Sequence, residues 1–321
     1  HMIKKFLSKY RWLRQIYISL LNLLDYVINF FKVIFSPINK IKFLRWIFFS
    51  ALPRNRYFQI DIQGIKFFVN SSDKVISKKI FVSKKFPEFQ HFDIVIDLLK
   101  NKERVVEEIV DIGSHYGSIS IPAMKRYNFN KIYAFEPNKD SFKTLNMNIA
   151  LNDYESKFKT FNKFVDKTKG DLEMLTFTNN TAASISDSSN DFVQTYIKSN
   201  NLNFSHKEIV KVATLDSLLY SEKLSHPLFW LYCQGKEIDI ISSSNLILEN
   251  KFPVCFAYSP LLNFKKPKDI EDLIILLRKN NYKRLIDVLN KDEELDIGLK
   301  SFELLNNRYK FNGAHTFILI D

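Results

Sequence analysis

From residue 108 onward, short apolar runs alternate with helix-forming segments, and this alternation limits the possible folds more than any other feature of the chain. The run 108–112 predicts a strand, 118–127 predicts a helix, and 131–136 predicts a second strand. Two parallel strands need a crossover connection of about a dozen residues or more, which a helix between them provides. The sequence therefore predicts an α/β domain with a doubly wound, mostly parallel sheet and helices on both faces.

The rest of the chain extends this pattern, with one interruption. The segment 57–69 predicts a β-hairpin, because two apolar-rich runs flank Gln63-Gly64, which can supply a tight turn. Further strands are predicted at 158–165, 209–213, 228–233, 253–258 and 315–320, and further helices at 74–100, 141–151, 214–220, 236–248 and 267–280. Residues 178–208 are rich in Asn, Ser and Thr and lack apolar periodicity, which predicts a long surface loop or insertion.

Positive charge is concentrated at the N-terminus. The whole chain has a formal charge of +12, and residues 1–56 hold 11 Lys and Arg against the single acid Asp25. The remaining residues carry 36 bases and 34 acids, so the body of the protein is nearly neutral. We therefore predict a basic amphipathic helical segment, 1–56, followed by an α/β domain, 57–321, that opens with the hairpin at 57–70.

The pattern of the basic segment predicts helices that lie along an anionic membrane surface. Between 16 and 35, polar residues recur every three or four positions, a spacing that would place them in one polar stripe along a helix. A membrane-spanning helix would have to hide that stripe, including Asp25, from lipid. The following run 40–49 mixes Lys and Arg with Trp and Phe, as suits a headgroup boundary. Packing on the α/β domain, pairing in a homodimer and a true span are the open alternatives.

Composition and charge argue against several other classes. Apolar residues make up 46% of the chain, enough for a sizeable core, which excludes a disordered protein. The 2 Cys residues are too few for a disulfide framework or a Cys-rich zinc site, so we predict a reducing compartment and no metal. The neutral body and the bulky aliphatics beside the N-terminal bases argue against nucleic acid as a partner. No secretory signal is evident, and the predicted location is cytoplasmic, peripheral on the inner membrane face.

The chemical signal lies in the turn after the strand 108–112. The run Val-Asp-Ile-Gly-Ser-His-Tyr-Gly places Asp111, Gly113 and Gly117 between a strand and a helix. The glycines let the backbone approach a ligand closely, and the start of the helix offers free N–H groups. The spacing D-x-G-x-x-x-G differs from the dinucleotide-binding G-x-G-x-x-G, and the absence of a Lys for nucleotide phosphates excludes a P-loop.

A second acid completes this pattern. Glu136 ends the next strand, about twenty residues after the turn, where a carboxylate can accept hydrogen bonds from both hydroxyls of a ribose. The alternative is a generic strand–helix turn followed by a surface glutamate. The spacing of turn and acid favours a ligand that contains a ribose.

These motifs resemble the FkbM family of class I S-adenosylmethionine (SAM)-dependent methyltransferases. The resemblance rests on Val-Asp-Ile-Gly-Ser-His-Tyr-Gly, Tyr-Ala-Phe-Glu-Pro-Asn and Leu-Asn-Met-Asn-Ile-Ala-Leu-Asn, and covers roughly residues 70–320. Further matches are Asp166-Lys-Thr-Lys-Gly, Ala213-Thr-Leu-Asp-Ser-Leu-Leu and the pattern around Gly235. The resemblance implies a Rossmann-like, seven-stranded sheet with an antiparallel final strand at 315–320. It also implies O-methylation of hydroxyls, commonly on sugars and polyketides.

The resemblance further implies roles for individual residues. Those placed around SAM are Asp111, Gly113, Ser114, His115, Gly117, Glu136, Asn138 and Asp166. The turn at 111–117 would border the methionine part, and Glu136 would bind the ribose hydroxyls. Asn138 would flank the adenine, and Asp166 would reach its amino group. His115 stands where the family usually has Asn; it would hydrogen-bond the cofactor or the acceptor, or else be a buried structural residue.

The chain departs from the family pattern after the fourth strand. The family typically reads Lys-x-Asp-x-Glu-Gly-x-Glu there, whereas this chain reads Trp-Leu-Tyr-Cys-Gln-Gly-Lys-Glu. Tyr232 replaces the Asp and Gln234 replaces the first Glu, so an obvious base or metal ligand is lost. The remaining candidates to take a proton from the acceptor are His115, Tyr232 and Glu237. Tyr232 would need a lowered pKa for that role.

Three functions stay open at this stage. The first is a bacterial SAM-dependent O-methyltransferase of polysaccharide biosynthesis, acting on a hydroxyl of a glycan or lipid-linked saccharide. The second is a catalytically weakened relative that binds a partner protein or glycan without turnover. The third is a methyltransferase on another acceptor, such as a phosphate-containing group, which the acid-poor edge at Tyr232 and Gln234 would tolerate.

Overall fold

A computed structural model describes residues 41–53, 57–186, 191–263, 267–290, 293–309 and 315–321. The chain divides into two compact units, 1–52 and 53–321. The amphipathic helix predicted within 16–35 lies outside the described residues.

The described residues form twelve α-helices and thirteen strands. The helices are α1 (Lys42–Ala51), α2 (Ile76–Ser83), α3 (Phe89–Asn101), α4 (Ser120–Tyr127), α5 (Lys139–Ala150), α6 (Asp191–Ser199), α7 (Leu215–Leu219), α8 (Glu237–Ser243), α9 (Asn245–Asn250), α10 (Pro260–Asn263), α11 (Pro267–Lys279) and α12 (Leu299–Tyr309). The strands are β1 (Tyr57–Ile62), β2 (Ile65–Asn70), β3 (Glu108–Ile112), β4 (Lys131–Phe135), β5 (Phe158–Phe161), β6 (Phe164–Val165), β7 (Gly170–Phe177), β8 (Phe204–Ala213), β9 (Pro227–Leu231), β10 (Val254–Tyr258), β11 (Arg284–Asp287), β12 (Glu294–Asp296) and β13 (His315–Ile320).

Eight strands form the central sheet, in the order β12-β11-β13-β10-β9-β3-β4-β5. The strands β5, β4, β3, β9 and β10 pair in parallel, whereas β13 runs antiparallel between β10 and β11. The predicted α/β fold and its reversed final strand are therefore confirmed. The sheet has one strand more than the predicted seven, because the short β12 pairs antiparallel with β11 at the edge. Two of its three residues are exposed and charged, so it carries no apolar signal.

The core lies where the sheet meets its helices. Every residue of β3, β9 and β10 is buried, which explains why these strands read as continuous apolar runs in the sequence. Buried side chains of α7, α8, α9, α11 and α12 pack with these strands in one cluster, for example Leu215, Ile241, Ile247, Leu273 and Phe302. The parallel strands consequently end together at one edge of a rigid sheet.

The interruption at 178–208 is only partly a loop. It contains α6 and the first residues of β8, and β8 joins β6 and β7 in a separate three-stranded sheet. The predicted surface loop therefore describes only part of this segment, and its being an insertion stays a prediction. Val193 and Leu202 are buried together with Phe177 and Ile185, so a few apolar residues anchor a segment of polar composition.

The predicted hairpin is present. β1 and β2 pair antiparallel with Ile62 opposite Ile65, and Gln63 and Gly64 adopt the φ angles of 54° and 78° that the tight turn needs.

A buried amide ties this hairpin to the central domain. The N–H of Phe68 donates to Oδ1 of Asn148 at 2.7 Å, and Nδ2 of Asn148 donates to the carbonyl oxygen of Tyr116 at 2.9 Å. The hairpin is therefore fixed to α5 and to the loop that follows β3.

The helix predicted at 74–100 is broken into α2 and α3. Pro87 lies in the break, where a residue without an N–H and with a bulky ring would interrupt a continuous helix. Lys84 ends α2 with a φ of 55°, and Glu88 precedes α3 with a φ of 62°. The break places Glu88 at the start of a helix rather than within one.

α1 belongs to the N-terminal unit and carries exposed apolar side chains. Phe43, Trp46 and Ile47 are 65%, 48% and 43% exposed, and the rings of Phe43 and Trp46 stack with their centroids 6.4 Å apart. Among the described residues, no helix is long and apolar enough to cross a membrane.

Candidate functional site

Three strand ends meet at Gly113, directly after β3. The N–H groups of Gly113 and Ser114 both donate to the carbonyl oxygen of Phe135, at 2.9 and 3.0 Å. From the other side, the N–H of Tyr232 donates to the carbonyl oxygen of Ile112 at 2.9 Å. Gly113 has a φ of 89°, and a Cβ at this position would lie 2.1 Å from the carbonyl oxygen of Tyr232. Only glycine therefore fits where β3, β4 and β9 end.

Glu136, directly after β4, is held beside this turn as a buried carboxyl group. Its Oε2 accepts from the N–H of His115 at 2.8 Å, and its Oε1 accepts from the N–H of Asn138 at 2.9 Å. Burial raises the pKa of Glu136 to about 7, and the charges of Asp111 and Glu208 act in the same direction. Each carboxylate oxygen has a second lone pair with which it can accept a bond from a ligand.

Asp111, within β3, is buried with one oxygen unsatisfied. Its side chain is almost fully enclosed, and its Oδ2 has no hydrogen-bond partner among the described residues. Burial raises the pKa of Asp111 to about 6. A cationic or hydrogen-bond-donating ligand would favour the ionised form of this carboxyl group.

The imidazole of His115 is neutral in this environment. Its Nε2 lies 2.7 Å from Oγ1 of Thr181, and its ring stacks on Tyr116 with centroids 3.8 Å apart. Its Nδ1 is buried and lacks a partner within the described part of the chain. Burial lowers the pKa of His115 to about 3. The ring can therefore exchange a hydrogen bond with a ligand but holds no positive charge near neutral pH.

These groups line a cavity of about 490 Å³, which we call the Glu136 cavity. Its walls include Gly113, His115, Phe135, Glu136, Val165, Thr181 and Cys233. Apolar walls beside a buried carboxylate are suited to a ligand with a flat apolar part and neighbouring hydroxyls.

A second cavity, of about 1130 Å³, adjoins the first, and we call it the Glu88 cavity. The two share Gly113, His115, Ala182, Tyr232 and Gln234. The Glu88 cavity also reaches Glu88, Asp111, Asn180, Tyr196, Trp230 and Glu237.

Unsatisfied polar atoms are concentrated in the walls of the Glu88 cavity. Four buried atoms there have no hydrogen-bond partner among the described residues: Oδ2 of Asp111, Nδ1 of His115, Oδ1 of Asn180 and Nε1 of Trp230. Each unsatisfied buried group costs about 1–3 kcal/mol, so such a group in a native structure calls for an explanation. A polar ligand that spans both cavities would satisfy them.

Gly117 lies outside the walls of both cavities. Its φ is 84°, and a Cβ there would lie 2.7 Å from Cδ1 of Ile121 and 2.9 Å from Cδ1 of Leu145. Both contacted atoms are the far ends of side chains that can shift, so the positive φ is what favours glycine here. Its expected place beside a cofactor stays a prediction.

Asn138 and Asp166 are also absent from the walls of the two cavities. Asn138 caps α5, since its Oδ1 accepts from the N–H of Ser141 at 2.9 Å. Oδ2 of Asp166 accepts from the ammonium group of Lys236 at 2.7 Å. These contacts are structural, and the adenine contacts implied for both residues stay predictions.

Glu237 holds the turn that follows β9. Its Oε1 accepts from the N–H of Cys233 at 2.8 Å, and its Oε2 accepts from the N–H of Gly235 at 2.9 Å. In the same turn, Oε1 of Gln234 accepts from the hydroxyl of Tyr196 at 3.1 Å. Both oxygens of Glu237 thus accept from the backbone, which fixes its carboxylate within this turn.

Tyr232 does not have the lowered pKa that a base would need. Its hydroxyl is hydrogen-bonded to Oγ1 of Thr316, which lies 2.9 Å from Nδ1 of His91. Burial raises the pKa of Tyr232 well above its ordinary value, and the charge of Glu88 acts in the same direction. Near neutral pH the phenol is therefore a neutral hydrogen-bonding group.

Sequence reasoning missed several residues of the walls. Glu88 follows the helix break, and Asn180, Thr181 and Tyr196 belong to the segment 178–208, whose polar composition predicts a loop. Pro87 was the available signal for Glu88, because a proline interrupts the helix predicted at 74–100. In the part of the chain that the structure describes, no group of His, Cys, Asp and Glu side chains is arranged to hold a metal ion.

The comparison with known families assigns the domain. The model of the methyltransferase FkbM domain matches residues 111–284, which is more than half of the chain. The chain therefore belongs to the FkbM methyltransferase family, as its motifs had indicated. No curated protein sequence matches it.

Solved structures with similar folds include several methyltransferases. The FkbM methyltransferase of Methylobacillus flagellatus KT is 12% identical with a TM-score of 0.40, and the match covers 67% of this chain and 44% of that one. The tRNA (uracil-54, C5)-methyltransferase of Pyrococcus abyssi, in complex with S-adenosyl-L-homocysteine, is 10% identical with a TM-score of 0.35, covering 82% and 43%. TYW2 of P. horikoshii, in complex with MeSAdo, is 12% identical with a TM-score of 0.36, covering 89% and 83%. The chain thus spans less than half the length of the first two.

The chemistry of the two cavities fits SAM. Burial raises the pKa of both Asp111 and Glu136, the charge of Asp111 further raises that of Glu136, and Oδ2 of Asp111 lacks a partner among the described residues. SAM offers an ammonium group, a sulfonium and two ribose hydroxyls, which are the charges and donors that these carboxylates lack. The residues present therefore match the group that the family implies.

Adding a methyl group at Gly113 is expected to destabilise the fold more than the same change at Gly64. Both glycines have positive φ, but a Cβ at Gly64 meets nothing within 4 Å, whereas one at Gly113 meets the carbonyl of Tyr232. We expect Gly64→Ala to lower the free energy of unfolding by about 1 kcal/mol and Gly113→Ala by more than about 3 kcal/mol. Urea denaturation measures both, and equal losses would contradict this geometry.

Glu136 should make the ligand-free protein less stable as the pH rises. Its pKa is about 7 in the folded chain against 4.5 ordinarily, so between these values the folded state binds more protons than the unfolded state. The free energy of unfolding therefore falls as the pH rises from about 4.5 to 7, by up to about 3 kcal/mol from this group. Denaturation at several pH values should show a flatter profile for Glu136→Gln, while the exposed Glu103→Gln keeps the wild-type profile. Identical profiles for both variants would refute the assignment.

Proposed function

We propose that the chain is a SAM-dependent O-methyltransferase that acts on a hydroxyl of a glycan or lipid-linked saccharide. The observation that carries this proposal is the set of unsatisfied buried polar atoms in the Glu88 cavity, directly beside the buried carboxyl of Glu136. Membership of the FkbM family supports methyl transfer as the reaction.

The residues at the strand ends would bind and orient the cofactor. SAM supplies an electrophilic methyl group when it is bound. Glu136 would accept hydrogen bonds from the ribose hydroxyls with its remaining lone pairs, and Asp111 would accept from the ammonium group with Oδ2. The glycine at position 113 lets the backbone approach the ligand without a side chain between them. Alignment of the acceptor oxygen with the methyl group can itself supply much of the rate acceleration.

The walls of the Glu88 cavity support a neutral hydroxyl-bearing acceptor. They combine the rings of Tyr196, Trp230 and Tyr232 with the amides of Asn180 and Gln234. Aromatic rings cover apolar sugar faces, and amides and hydroxyls exchange hydrogen bonds with sugar hydroxyls. Within the described part of the chain, no Lys or Arg lines this cavity, which disfavours an acceptor that carries phosphate.

Transfer of a labelled methyl group from SAM to a panel of sugars tests the acceptor class. The panel contains the methyl glycosides of glucose, galactose, mannose and rhamnose, with glucose 1-phosphate and glucose 6-phosphate as the charged comparison. We expect at least one neutral glycoside to be methylated. Asn180→Leu should lower kcat/KM for it about tenfold, because one hydrogen bond is lost, whereas Asn250→Leu on the remote α9 should leave it unchanged. Methylation of the phosphorylated sugars alone would contradict the proposed acceptor.

A second candidate is a catalytically weakened relative that binds a partner or glycan without turnover. It is favoured by the raised pKa of Tyr232 and by the engagement of both Glu237 oxygens in the backbone of the turn. For this candidate, SAM binding without transfer to any sugar of the panel is the expected result.

We also propose that residues 1–56 attach the protein to an anionic membrane surface, which would place it at the inner membrane face. The described part of this segment supports the proposal, because α1 exposes Phe43, Trp46 and Ile47 beside basic residues. Aromatic rings lie at the headgroup level, and Lys and Arg meet anionic lipid there.

Binding to vesicles tests this attachment. The full chain should bind phosphatidylglycerol-containing vesicles more tightly than pure phosphatidylcholine vesicles, and the difference should shrink as salt rises. Phe43→Ser with Trp46→Ser should weaken binding at least fivefold, because the exposed rings of α1 are lost. The matched control is Phe204→Ser with Tyr220→Ser, which removes two aromatic rings that are 56% and 91% exposed elsewhere. Equal binding by both double variants would contradict the role of α1.

A further inference from the structure

We propose that Glu88 is the general base of the reaction and takes the proton of the acceptor hydroxyl. This inference rests on the proposed methyltransferase function and identifies the residue that replaces the acid missing after β9. No motif of the sequence indicated Glu88; its position follows from the break between α2 and α3.

The break aims a carboxylate at the acceptor side of the site. Glu88 lines the larger cavity together with Asp111, Trp230 and Tyr232, but it does not line the Glu136 cavity. It therefore lies where the acceptor is expected rather than where the nucleoside is expected. The backbone at Glu88 has a φ of 62°, a conformation that a glutamate adopts only at a cost in free energy.

Positive φ angles recur in the walls of this cavity. His115 and Gln234 share the feature, with φ of 50° and 52°. Strained residues that persist in one site are held there by their surroundings, and such residues are concentrated where side chains must be aimed at a ligand.

The carboxylate of Glu88 is available, as is Oδ2 of Asp111, which the proposed function assigns to the ammonium group of SAM. Among the described residues, no hydrogen bond or ion pair involves the side-chain oxygens of Glu88. Glu237, by comparison, accepts two backbone N–H groups, and Glu136 also accepts two. A base needs a free oxygen that can approach the proton it removes.

The charge of Glu88 acts on the groups around the acceptor position. Burial raises the pKa of Tyr232, on the turn after β9, and of Tyr196, on α6, and the charge of Glu88 acts in the same direction on both. Burial raises the pKa of Glu88 itself, while the ammonium group of Lys79 on α2 opposes that effect. A carboxylate with a raised pKa is a stronger base than an exposed one.

Methyl transfer and proton transfer take place together at the acceptor hydroxyl. The acceptor oxygen forms its new bond to the methyl carbon while its O–H proton moves to the carboxylate of Glu88. The bond between methyl carbon and sulfur breaks with its electron pair remaining on sulfur, which gives S-adenosyl-L-homocysteine. The carboxylic acid at Glu88 then returns its proton to water. Tyr232, fixed by Thr316, can hold the acceptor oxygen by a hydrogen bond during the transfer.

A titration of Glu88 in the two cofactor complexes tests this position without an acceptor. The full chain is labelled with ¹³C at the glutamate side-chain carboxyl, and the Glu88 signal is identified as the one lost in Glu88→Gln, or lost in Glu88→Asp if the first variant does not fold. SAM carries a positive sulfonium, whereas S-adenosyl-L-homocysteine carries a neutral sulfur. We expect the midpoint of Glu88 to be at least half a pH unit lower with SAM than with S-adenosyl-L-homocysteine, because the sulfonium favours the nearby carboxylate.

The matched control is Glu103, at the other end of α3. It also has a positive φ, 57°, but it is exposed, so Glu103→Gln should leave the difference between the two Glu88 midpoints unchanged. Equal midpoints for Glu88 would overturn the inference while leaving the proposed function intact. Failure of the wild-type chain to bind SAM would overturn the proposed function and the inference with it.

A kinetic measurement with a glycoside of the panel that the protein methylates tests the base itself. Glu88→Gln should lower kcat at least 100-fold and should remove the fall in rate toward acidic pH, because the group whose protonation causes that fall is gone. Glu103→Gln should retain the wild-type rate and pH profile. An unchanged kcat in Glu88→Gln would overturn the inference. If no glycoside of the panel is methylated, the ¹³C titration alone decides whether the inference stands.

Discussion

The paired hydrogen bonds from the N–H groups of Gly113 and Ser114 to the carbonyl oxygen of Phe135 are the contact on which the site depends. They hold the end of β3 against the end of β4, while the backbone of Tyr232 closes the other side at a distance that admits no Cβ on Gly113. Because three parallel strands end at this point, the residues that follow them must share one space. The two cavities, and all the chemistry proposed for them, lie in that space.

Burial of acids in this space has an electrostatic consequence. Asp111 and Glu136 both have raised pKa values because they are enclosed, and the charge of Asp111 raises that of Glu136 further. A fold that keeps such groups loses stability unless a ligand supplies donors or positive charge. On the acceptor side, burial also raises the pKa of the Glu88 carboxyl, and a raised pKa makes it a stronger base. Cofactor binding and proton transfer would then both depend on carboxylates that are shielded from water.

The sequence predicted the parts of this arrangement that depend on local pattern. Continuous apolar runs predicted the buried strands, and the spacing from Gly113 to Glu136 predicted which residues meet at their ends. It did not predict β12, whose pairing at an edge leaves no apolar signal, or α6, whose anchoring needs only a few buried side chains. Glu88 was missed for a different reason, since it reaches the site through a helix break far from the motif in sequence. Long-range approach of this kind is set by tertiary packing, which one sequence does not reveal.

The central claim, that these strand ends bind SAM, is tested most directly by calorimetric titration of SAM and S-adenosyl-L-homocysteine into the wild-type chain and into Glu136→Ala. We predict micromolar binding of both ligands by the wild type and a loss of at least tenfold in the variant, since its ribose-binding carboxylate is gone. Glu103→Ala, which removes an exposed glutamate, should bind as the wild type does. Absence of binding by the wild type, or equal affinity in Glu136→Ala, would contradict the account.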